Sequence, residues 1–433
     1  MQKNSLHMPL KVEIIFIFVL NADCVFRNYD LLTFNFIIMK QFFLLCAMLV
    51  AAFTASAQQS WVNETYNPQA NTEGLAPMGA RVISPEVHDN HTVTFRLYAP
   101  NAQQVIVRGT MFTGGMEAKS AEMTKDDKGV WSVTAGPFTP DVYTYTFNID
   151  GVSVVDPANT LHNHGTMPAS SMLYVHGDGP AYYDPNPAIA HGSVTTSYYN
   201  SSVTGGLRTI LVYTPPMYDA KKKYPVLYLM GGSGEATDSW YKYGQVNWIM
   251  DNMIAEGKIE PTIVVMVNNQ IVHRSTPNHS ELSFKMMERE YKECVIPWVD
   301  SHYSTIANRK GRALAGLSMG GRHTQYIGFR NPDLFGSLGI LSAALGAADE
   351  KAFGEDAVAM GRDAKALKAA NYDYIFIGAG VYETNDQARH TLLHKQLEGL
   401  GVEHDYYIGG FSAHDFMTWR HLLYFQFLPN LWK

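Results

Sequence analysis

Short apolar runs alternate with helical segments from about residue 190 to the end of this 433-residue chain. The runs that read as strands are Ile210–Tyr213, Val226–Met230, Ile263–Val267, Ala313–Leu317, Leu338–Leu341, Tyr374–Ile377 and Asp405–Ile408. Stretches with helical periodicity lie between several of them, namely Val246–Ala255, Met286–Val299 and Ala388–Leu400. Apolar strands that alternate with helices are typical of a mostly parallel sheet covered on both faces. The pattern predicts an α/β domain over residues 191–433.

The preceding residues 80–176 have a different periodicity, in which apolar and polar residues alternate along short segments. Thr92–Tyr98 alternates strictly, and turn sequences such as Asp126–Gly129 and Asp150–Gly151 punctuate the later runs. Short alternating strands at this spacing indicate an all-β sandwich. Residues 177–190 contain the turn-forming sequences GDGP and DPNP and are predicted to be a linker.

The N-terminal residues have the composition of an export signal. Residues 39–57 start with Met and Lys, continue with an apolar run, and end with Ala55-Ser56-Ala57. This order is typical of a secretory signal peptide cleaved before Gln58. Residues 1–38 are interpreted as an over-extended gene model. The alternative, a membrane anchor, is disfavoured because polar and charged residues interrupt every apolar run before the ~20 residues needed to span a bilayer.

The mature chain is therefore expected to be exported, to the periplasm or the cell exterior, without a membrane span. Lipidation of Cys46 is a less favoured alternative. Cys294 is the only cysteine after residue 57, so the exported chain cannot form an internal disulfide. A net charge of −7 and a pI near 6.1 give no reason to expect nucleic acid or an anionic membrane as a partner.

The sequence AGLSMGG places Ser318 between glycines, after a strand candidate and before a helix candidate. A strand, a sharp turn that carries serine, and a helix form a nucleophile elbow. The flanking Gly316 and Gly320 fit this interpretation, because a Cβ at either position would clash in so tight a turn.

A serine hydroxyl needs a base and an orienting acid, which follow it in the order serine, acid, histidine in this kind of fold. The loop after the last strand run supplies His414, which we favour over five other histidines: His323, His390, His394, His404 and His421. The loop after Tyr374–Ile377 supplies two candidate acids, Glu383 and Asp386. Glu383 is favoured, because an Asp at the start of a helix has a structural role as an N-cap.

An oxyanion hole requires two backbone N–H groups directed at the tetrahedral oxygen. The residue after the nucleophile, Met319, is expected to supply one. The glycine-rich loop 230–234, which follows the apolar residues Val226–Leu229, is expected to supply the other.

Four stretches of the second domain carry a resemblance to a known family: Tyr224–Leu229, Ile254–Ile259, AGLSMGG and His414–Arg420. Through them, residues 206–433 resemble the esterase D-type (putative esterase) branch of the α/β-hydrolases, which includes feruloyl, acetylxylan and enterochelin esterases. Residues 83–175 resemble the immunoglobulin-like, glycogen-binding-type module that precedes this domain in many gut-bacterial xylan esterases. The stretches that match it are Thr92–Pro100, Lys125–Val133, Asp150–Val152 and Asp156–Pro157.

The resemblance implies an α/β-hydrolase fold preceded by an immunoglobulin-like sandwich. It implies a triad of Ser318, His414 and Glu383, although the family usually has Asp as the acid. The backbone N–H groups of Ser233 and Met319 are implied as oxyanion donors. No cofactor or metal is expected.

The expected function is a secreted serine esterase that removes feruloyl or acetyl groups from xylan or its oligosaccharides. The alternatives are an enterochelin-type siderophore esterase and a non-catalytic carbohydrate-binding protein. Trp240, Tyr241 and Tyr243 are candidates for an aromatic wall of the substrate site, although ordinary packing explains them equally well. The sandwich could bind glycan or only brace the catalytic domain. The sequence leaves the oligomeric state open.

Overall fold

The computed structural model of the chain describes residues 81–112, 120–163, 169–345, 364–409 and 413–433. They all belong to one compact unit, Pro68–Lys433. The predicted signal peptide at 39–57 and the predicted extension at 1–38 lie outside the described residues. In the part of the chain that the structure describes, no helix is long and apolar enough to cross a membrane.

The first group of strands forms two antiparallel sheets, with the orders β1-β2-β6-β5 and β4-β3-β7-β10-β9, and with β8 paired to β7. These strands are β1 (Glu86–Val87), β2 (Val93–Tyr98), β3 (Val105–Gly109), β4 (Ser120–Glu122), β5 (Thr124–Lys125), β6 (Val130–Ala135), β7 (Asp141–Ile149), β8 (Val152–Val154), β9 (His162–Asn163) and β10 (Ser170–Val175). Residues of both sheets share one core, in which Phe95 and Phe147 both meet the Tyr145 ring edge-on. The predicted β-sandwich is confirmed.

The second group of strands forms one sheet of order β11-β12-β14-β13-β15-β16-β17-β18. These strands are β11 (Ser193–Ser201), β12 (Gly206–Thr214), β13 (Val226–Met230), β14 (Ile263–Val267), β15 (Arg312–Leu317), β16 (Ser337–Leu341), β17 (Tyr374–Gly380) and β18 (Asp405–Gly409). The pairs from β14 to β18 are parallel, whereas β11 and β12 are antiparallel to their neighbours. Strands β13 to β16 are buried along their whole length, as expected of a sheet covered on both faces.

Helices cover both faces of this sheet. They are α1 (Ser239–Lys242), α2 (Val246–Ala255), α3 (His279–Arg289), α4 (Ile296–His302), α5 (Met319–Arg330), α6 (Ala364–Ala370), α7 (Thr384–Leu400) and α8 (Phe416–His421). Two π-helical segments, Glu290–Val295 and Leu422–Phe427, continue α3 and α8, and short 3-10 turns lie at Thr110–Phe112, Arg309–Gly311 and Leu428–Asn430. Helices α3, α5 and α7 pack on one core cluster, and α2 and α8 pack on the other. The predicted α/β architecture is confirmed.

The fully buried Arg420 of α8 ties the sandwich to the sheet domain. Its guanidinium forms an ion pair with Asp141 and donates to the carbonyl of Val142 at 3.3 Å, both residues of β7. It also donates to the Tyr243 carbonyl at 2.6 Å and lies over the Tyr183 ring. A buried guanidinium is stable only when it is paired and hydrogen-bonded, so these contacts hold α8 against the sandwich.

Candidate active site

Ser318 lies in the sharp turn between β15 and α5. Leu317 ends β15, Met319 begins α5, and Ser318 between them has φ 52° and ψ −121°. Such positive φ is rare for a residue with a side chain, and strained backbone of this kind concentrates at functional sites. The Ser318 N–H donates to the Leu341 carbonyl at 2.9 Å, which fixes the turn against the end of β16.

The glycines around Ser318 are required by close backbone contacts. A Cβ at Gly316 would lie 2.5 Å from the carbonyl carbon of Gly320. A Cβ at Gly320 would lie 2.5 Å from the carbonyl oxygen of Gly231, in the loop after β13. The turn that carries Ser318 and the glycine loop are therefore packed directly against each other.

The imidazole of His414 lies between Ser318 and Glu383. Its Nε2 is 2.8 Å from Ser318 Oγ, and its Nδ1 is 2.5 Å from Glu383 Oε1. The His414 side chain is 43% exposed, whereas that of Glu383 is 1% exposed. A hydroxyl, an imidazole and a buried carboxylate in this series can transfer the hydroxyl proton to the imidazole and stabilise the resulting imidazolium.

Glu383 has two further hydrogen bonds that the sequence did not suggest. The hydroxyl of Ser342 donates to Oε2 at 2.7 Å, and the N–H of Gly380 donates to the same oxygen at 2.5 Å. The expectation that Asp386 begins the next helix is wrong, because α7 begins at Thr384 and Glu383 itself occupies the N-cap position. The side chain of Asp386 lies outside the described residues.

The loop after β13 passes beside the nucleophile candidate. A Cβ at Gly232 would lie 3.3 Å from the Cβ of Ser318. The N–H of Gly232 donates to Glu235 Oε2 at 3.0 Å, and the hydroxyl of Ser233 accepts from Arg274 at 2.7 Å. Among the described residues, neither the N–H of Ser233 nor that of Met319 donates to a protein acceptor. Both groups can therefore donate to a bound oxyanion.

Glu235 is a carboxyl group near the candidate base that the sequence analysis missed. Desolvation by burial raises its pKa to about 7, although the N–H of Gly232 and the nearby His414 lower it. Its only sequence signal is its position directly after the glycine-rich loop. At neutral pH this group holds a proton for much of the time, unlike an ordinary surface glutamate.

A cavity of about 160 Å³ lies beside His414. Its walls include Thr110, Thr144 and Asn163 from the sandwich, and Glu235 and Tyr243 from the sheet domain. Both domains thus contribute side chains to the space next to the candidate base.

The structure separates the three residues predicted to form an aromatic wall. Trp240 is 1% exposed, donates from its indole N–H to the Met230 carbonyl at 2.9 Å, and packs on Phe416. Its ring is part of the core, so the expectation that it faces a substrate is wrong. Tyr241 is partly buried against the same core cluster, and only Tyr243 of the three lines the cavity beside His414.

Among the described residues, none of the other five candidate histidines hydrogen-bonds the Ser318 hydroxyl. Burial lowers the pKa of both His323 and His390 to about 3, so these side chains are neutral, and it also lowers the pKa of His421. His394 and His404 hydrogen-bond each other at 2.8 Å. Within the described ranges, no group of three or more His, Cys, Asp or Glu side chains could hold a metal ion.

The strand order of the sheet, with Ser318 in the turn after β15 and His414 and Glu383 after later strands, defines an α/β-hydrolase with a serine–histidine–carboxylate site. A comparison with family models indicates the same class of protein. The chain belongs to the family described as putative esterase, whose model matches residues 201–428. The model of carbohydrate-binding module 48 (isoamylase N-terminal domain) matches residues 77–160. The resemblance predicted from the sequence is confirmed.

Two curated relatives are named as xylanases. The endo-1,4-beta-xylanase/feruloyl esterase of Xylanibacter ruminicola is 33% identical over 346 residues, which are 78% of this chain and 44% of that protein. Endo-1,4-beta-xylanase Y of Acetivibrio thermocellus is 31% identical over 177 residues, which are 37% of this chain and 15% of that protein. The chain spans less than half the length of these relatives.

Solved structures share the fold. The enterobactin esterase of Shigella flexneri has a TM-score of 0.60 at 18% identity, and the match covers 79% of this chain and 93% of that chain. A ferulic acid esterase of Anaeromyces mucronatus, in complex with ferulic acid, has a TM-score of 0.51 at 24% identity, with coverages of 59% and 96%.

Proposed function

We propose that the chain is a serine carboxylic-ester hydrolase in which Ser318 is the nucleophile, His414 the general base and Glu383 the orienting acid. The observation that carries the proposal is the position of the His414 imidazole, which bonds Ser318 Oγ through Nε2 and a buried carboxylate through Nδ1. Membership of an esterase family supports the same reaction class.

In the proposed reaction, Ser318 Oγ attacks the ester carbonyl carbon while its proton passes to His414 Nε2. The carbonyl oxygen becomes an oxyanion and accepts hydrogen bonds from the N–H groups of Ser233 and Met319. The ester C–O bond then breaks, and the leaving alkoxide takes the proton from His414. Water, deprotonated by His414, then attacks the acyl-serine carbon. The bond between this carbon and Ser318 Oγ breaks, Oγ takes the proton back from His414, and the acid is released.

The proposed substrates are feruloyl or acetyl esters of xylan or of its oligosaccharides. The Xylanibacter ruminicola relative, named as a xylanase/feruloyl esterase, supports this substrate class. The cavity beside His414 supports it too, because it combines the aromatic Tyr243 with the hydrogen-bonding side chains of Thr144 and Asn163. Such esters occur outside the cell, in accordance with the signal peptide predicted at residues 39–57.

A siderophore esterase is the second candidate. Iron-loaded catecholate substrates are polyanions, which favour basic side chains around the site. Arg274 is such a side chain, because it bonds the hydroxyl of Ser233 in the candidate oxyanion loop. Against this candidate, the described residues that line the cavity beside His414 include no Lys or Arg.

Hydrolysis of methyl ferulate, acetylated xylan and a catecholate trilactone tests these proposals in parallel. We expect one of the first two substrates to give the highest kcat/KM, and Ser318→Ala to lose roughly 10³-fold or more of the activity. The matched control is Ser301→Ala, which removes an exposed serine hydroxyl on α4. Preference for the trilactone would support the siderophore esterase. A Ser318→Ala variant with wild-type rates would instead leave a protein whose triad is not catalytic.

A further inference from the structure

The segment that follows β14 holds the backbone of the candidate oxyanion loop. The side-chain amide of Asn269 donates to the Gly231 carbonyl at 2.7 Å, and that of Gln270 donates to the Gly232 carbonyl at 2.9 Å. The Gln270 amide also donates to the side-chain carbonyl of Asn269 at 2.9 Å. Two consecutive carbonyls of the loop are thus bound by two consecutive side chains.

These contacts determine which way the peptide groups of the loop face. In a trans peptide the C=O and the N–H point in opposite directions within one plane. The peptide between Gly231 and Gly232 is held on both sides, because its carbonyl bonds Asn269 and its N–H bonds Glu235. The next peptide has its Gly232 carbonyl bound to Gln270, so its Ser233 N–H points away from Gln270.

The N–H of Ser233 remains available as a hydrogen-bond donor in this loop. Within the described part of the chain, it donates to no protein acceptor. Its direction depends on the Gln270 side chain, because that amide holds the carbonyl of the same peptide group. Without Gln270, the Gly232 carbonyl would keep only the long 3.5 Å hydrogen bond from the Glu235 N–H, and the Gly232–Ser233 peptide could rotate about the unrestricted backbone of Gly232.

Asn269 is itself fixed to the helix that starts at the nucleophile. The buried His323 of α5 lies with its Nδ1 3.4 Å from the Asn269 amide nitrogen and its Nε2 3.2 Å from the Ser283 hydroxyl. Burial, with the nearby Arg322, lowers the pKa of His323 to about 3, so the ring is neutral. A neutral ring can accept from Asn269 at Nδ1 and donate to Ser283 from Nε2.

We propose that Gln270 is a positioning residue that directs the Ser233 N–H at the oxyanion of the tetrahedral intermediate, with Asn269 holding the preceding peptide. The inference rests on the proposed esterase function and adds the residue that orients one of its two oxyanion donors. A donor directed at developing charge acts on the transition state more than on the neutral substrate carbonyl. Loss of Gln270 therefore lowers kcat with little change in KM.

The test compares Gln270→Ala with the wild-type protein on methyl ferulate. We expect kcat to fall about 10- to 100-fold, since removal of an oxyanion donor itself costs roughly 10²- to 10³-fold. Gln270→Glu keeps the size of the side chain but removes its donor, and should lose at least as much. The control is Gln103→Ala, which removes an exposed glutamine amide that also donates to a backbone carbonyl, in the sandwich.

A second measurement separates positioning from a general structural role. A trifluoromethyl ketone forms a tetrahedral adduct with the serine, whereas the carboxylate carbon of the product ferulate remains trigonal. Gln270→Ala should weaken binding of the ketone by about the factor lost in kcat, and leave ferulate binding unchanged. Both affinities come from one preparation, so a loss of folded protein reduces the sites for both ligands equally.

The outcomes distinguish this inference from the proposed function. Equal weakening of both ligands, a change in KM alone, or an unchanged kcat in Gln270→Ala would each overturn the role of Gln270. In those cases an inactive Ser318→Ala variant keeps the esterase mechanism intact. An active Ser318→Ala variant would remove the proposed function, and the inference with it.

Discussion

Ser342, directly after β16, donates a hydrogen bond of 2.7 Å to the carboxylate of Glu383, in the loop after β17. This bond and the N–H of Gly380 occupy Oε2, so that Oε1 faces His414. The two oxygens of one carboxylate thus have separate tasks. One anchors the side chain between adjacent strands, and the other orients the imidazole.

Replacing Ser342 with alanine should therefore slow the reaction without abolishing it. A hydrogen bond to a charged group contributes about 1.5–3 kcal/mol, so we expect kcat to fall roughly 10- to 100-fold while the carboxylate remains. Steady-state kinetics on methyl ferulate measures the effect, with Ser301→Ala as the matched control. An unchanged kcat would mean that the Gly380 N–H alone suffices to orient the carboxylate.

The identity of the acid is tested by two conservative substitutions. Glu383→Gln should lower kcat roughly 10³- to 10⁴-fold, because an amide cannot stabilise the imidazolium and favours the wrong tautomer of His414. Asp386→Asn should remain within about twofold of wild type, since Glu383 already occupies His414 Nδ1. If the two results were exchanged, Asp386 would be the acid.

Replacing glycine with alanine should have opposite effects on stability at Gly320 and at Gly399. Gly320→Ala should destabilise the fold by about 1–3 kcal/mol and impair catalysis, because its Cβ would lie 2.5 Å from the Gly231 carbonyl oxygen. Gly399→Ala, in the last turn of α7, has nothing within 4 Å of the new Cβ and should stabilise by about 0.4–1 kcal/mol. Thermal unfolding of both variants measures these two changes in stability. Gly320→Ala at wild-type stability would contradict the close packing of elbow and loop.

Glu235 should make folding stability depend on pH. Its pKa rises from 4.5 in the unfolded chain to about 7 in the folded protein, so the folded state holds the proton more tightly. The stability that this proton contributes is complete below pH 4.5 and is lost as the pH rises through 7. Glu235→Gln removes this dependence but keeps an acceptor for the N–H of Gly232.

Thermal unfolding between pH 4.5 and 8 measures this effect. The Tm of the wild type should fall relative to that of Glu235→Gln as the pH increases across this range. Glu122→Gln, at an exposed glutamate of β4, provides the control and should follow the wild-type curve. Parallel curves for wild type and Glu235→Gln would show that Glu235 titrates normally.

The central strands could be predicted from the sequence because burial on both faces makes them apolar throughout. Seven runs corresponded to β12 through β18. The remaining strand, β11, was missed since it is a mostly exposed edge strand whose sequence SVTTSYYNS has no apolar run. Its single neighbour, β12, determines its conformation, and such pairing is not visible in local periodicity.

The triad candidates could be named because they follow strands in a fixed order, and parallel strands bring their ends together. The hydrogen bonds that surround the triad candidates could not be predicted from the sequence. Ser342 and Gln270 act through hydrogen bonds between loops distant in sequence, and neither has a motif. Trp240 stayed open between a substrate wall and core packing, because a sequence shows that a residue is aromatic but not whether it faces the core or a cavity.

The buried Arg420 has a consequence for how the two modules can evolve. It lies six residues after His414, and its partners Asp141 and Val142 belong to the sandwich. A chain that began at residue 190 would leave this guanidinium, in the helix that follows the base, without its carboxylate. An appended carbohydrate-binding module can usually be exchanged or lost by recombination. Loss or exchange of the sandwich here would leave a buried charge unpaired in the other module, because one module completes the folded environment of the other.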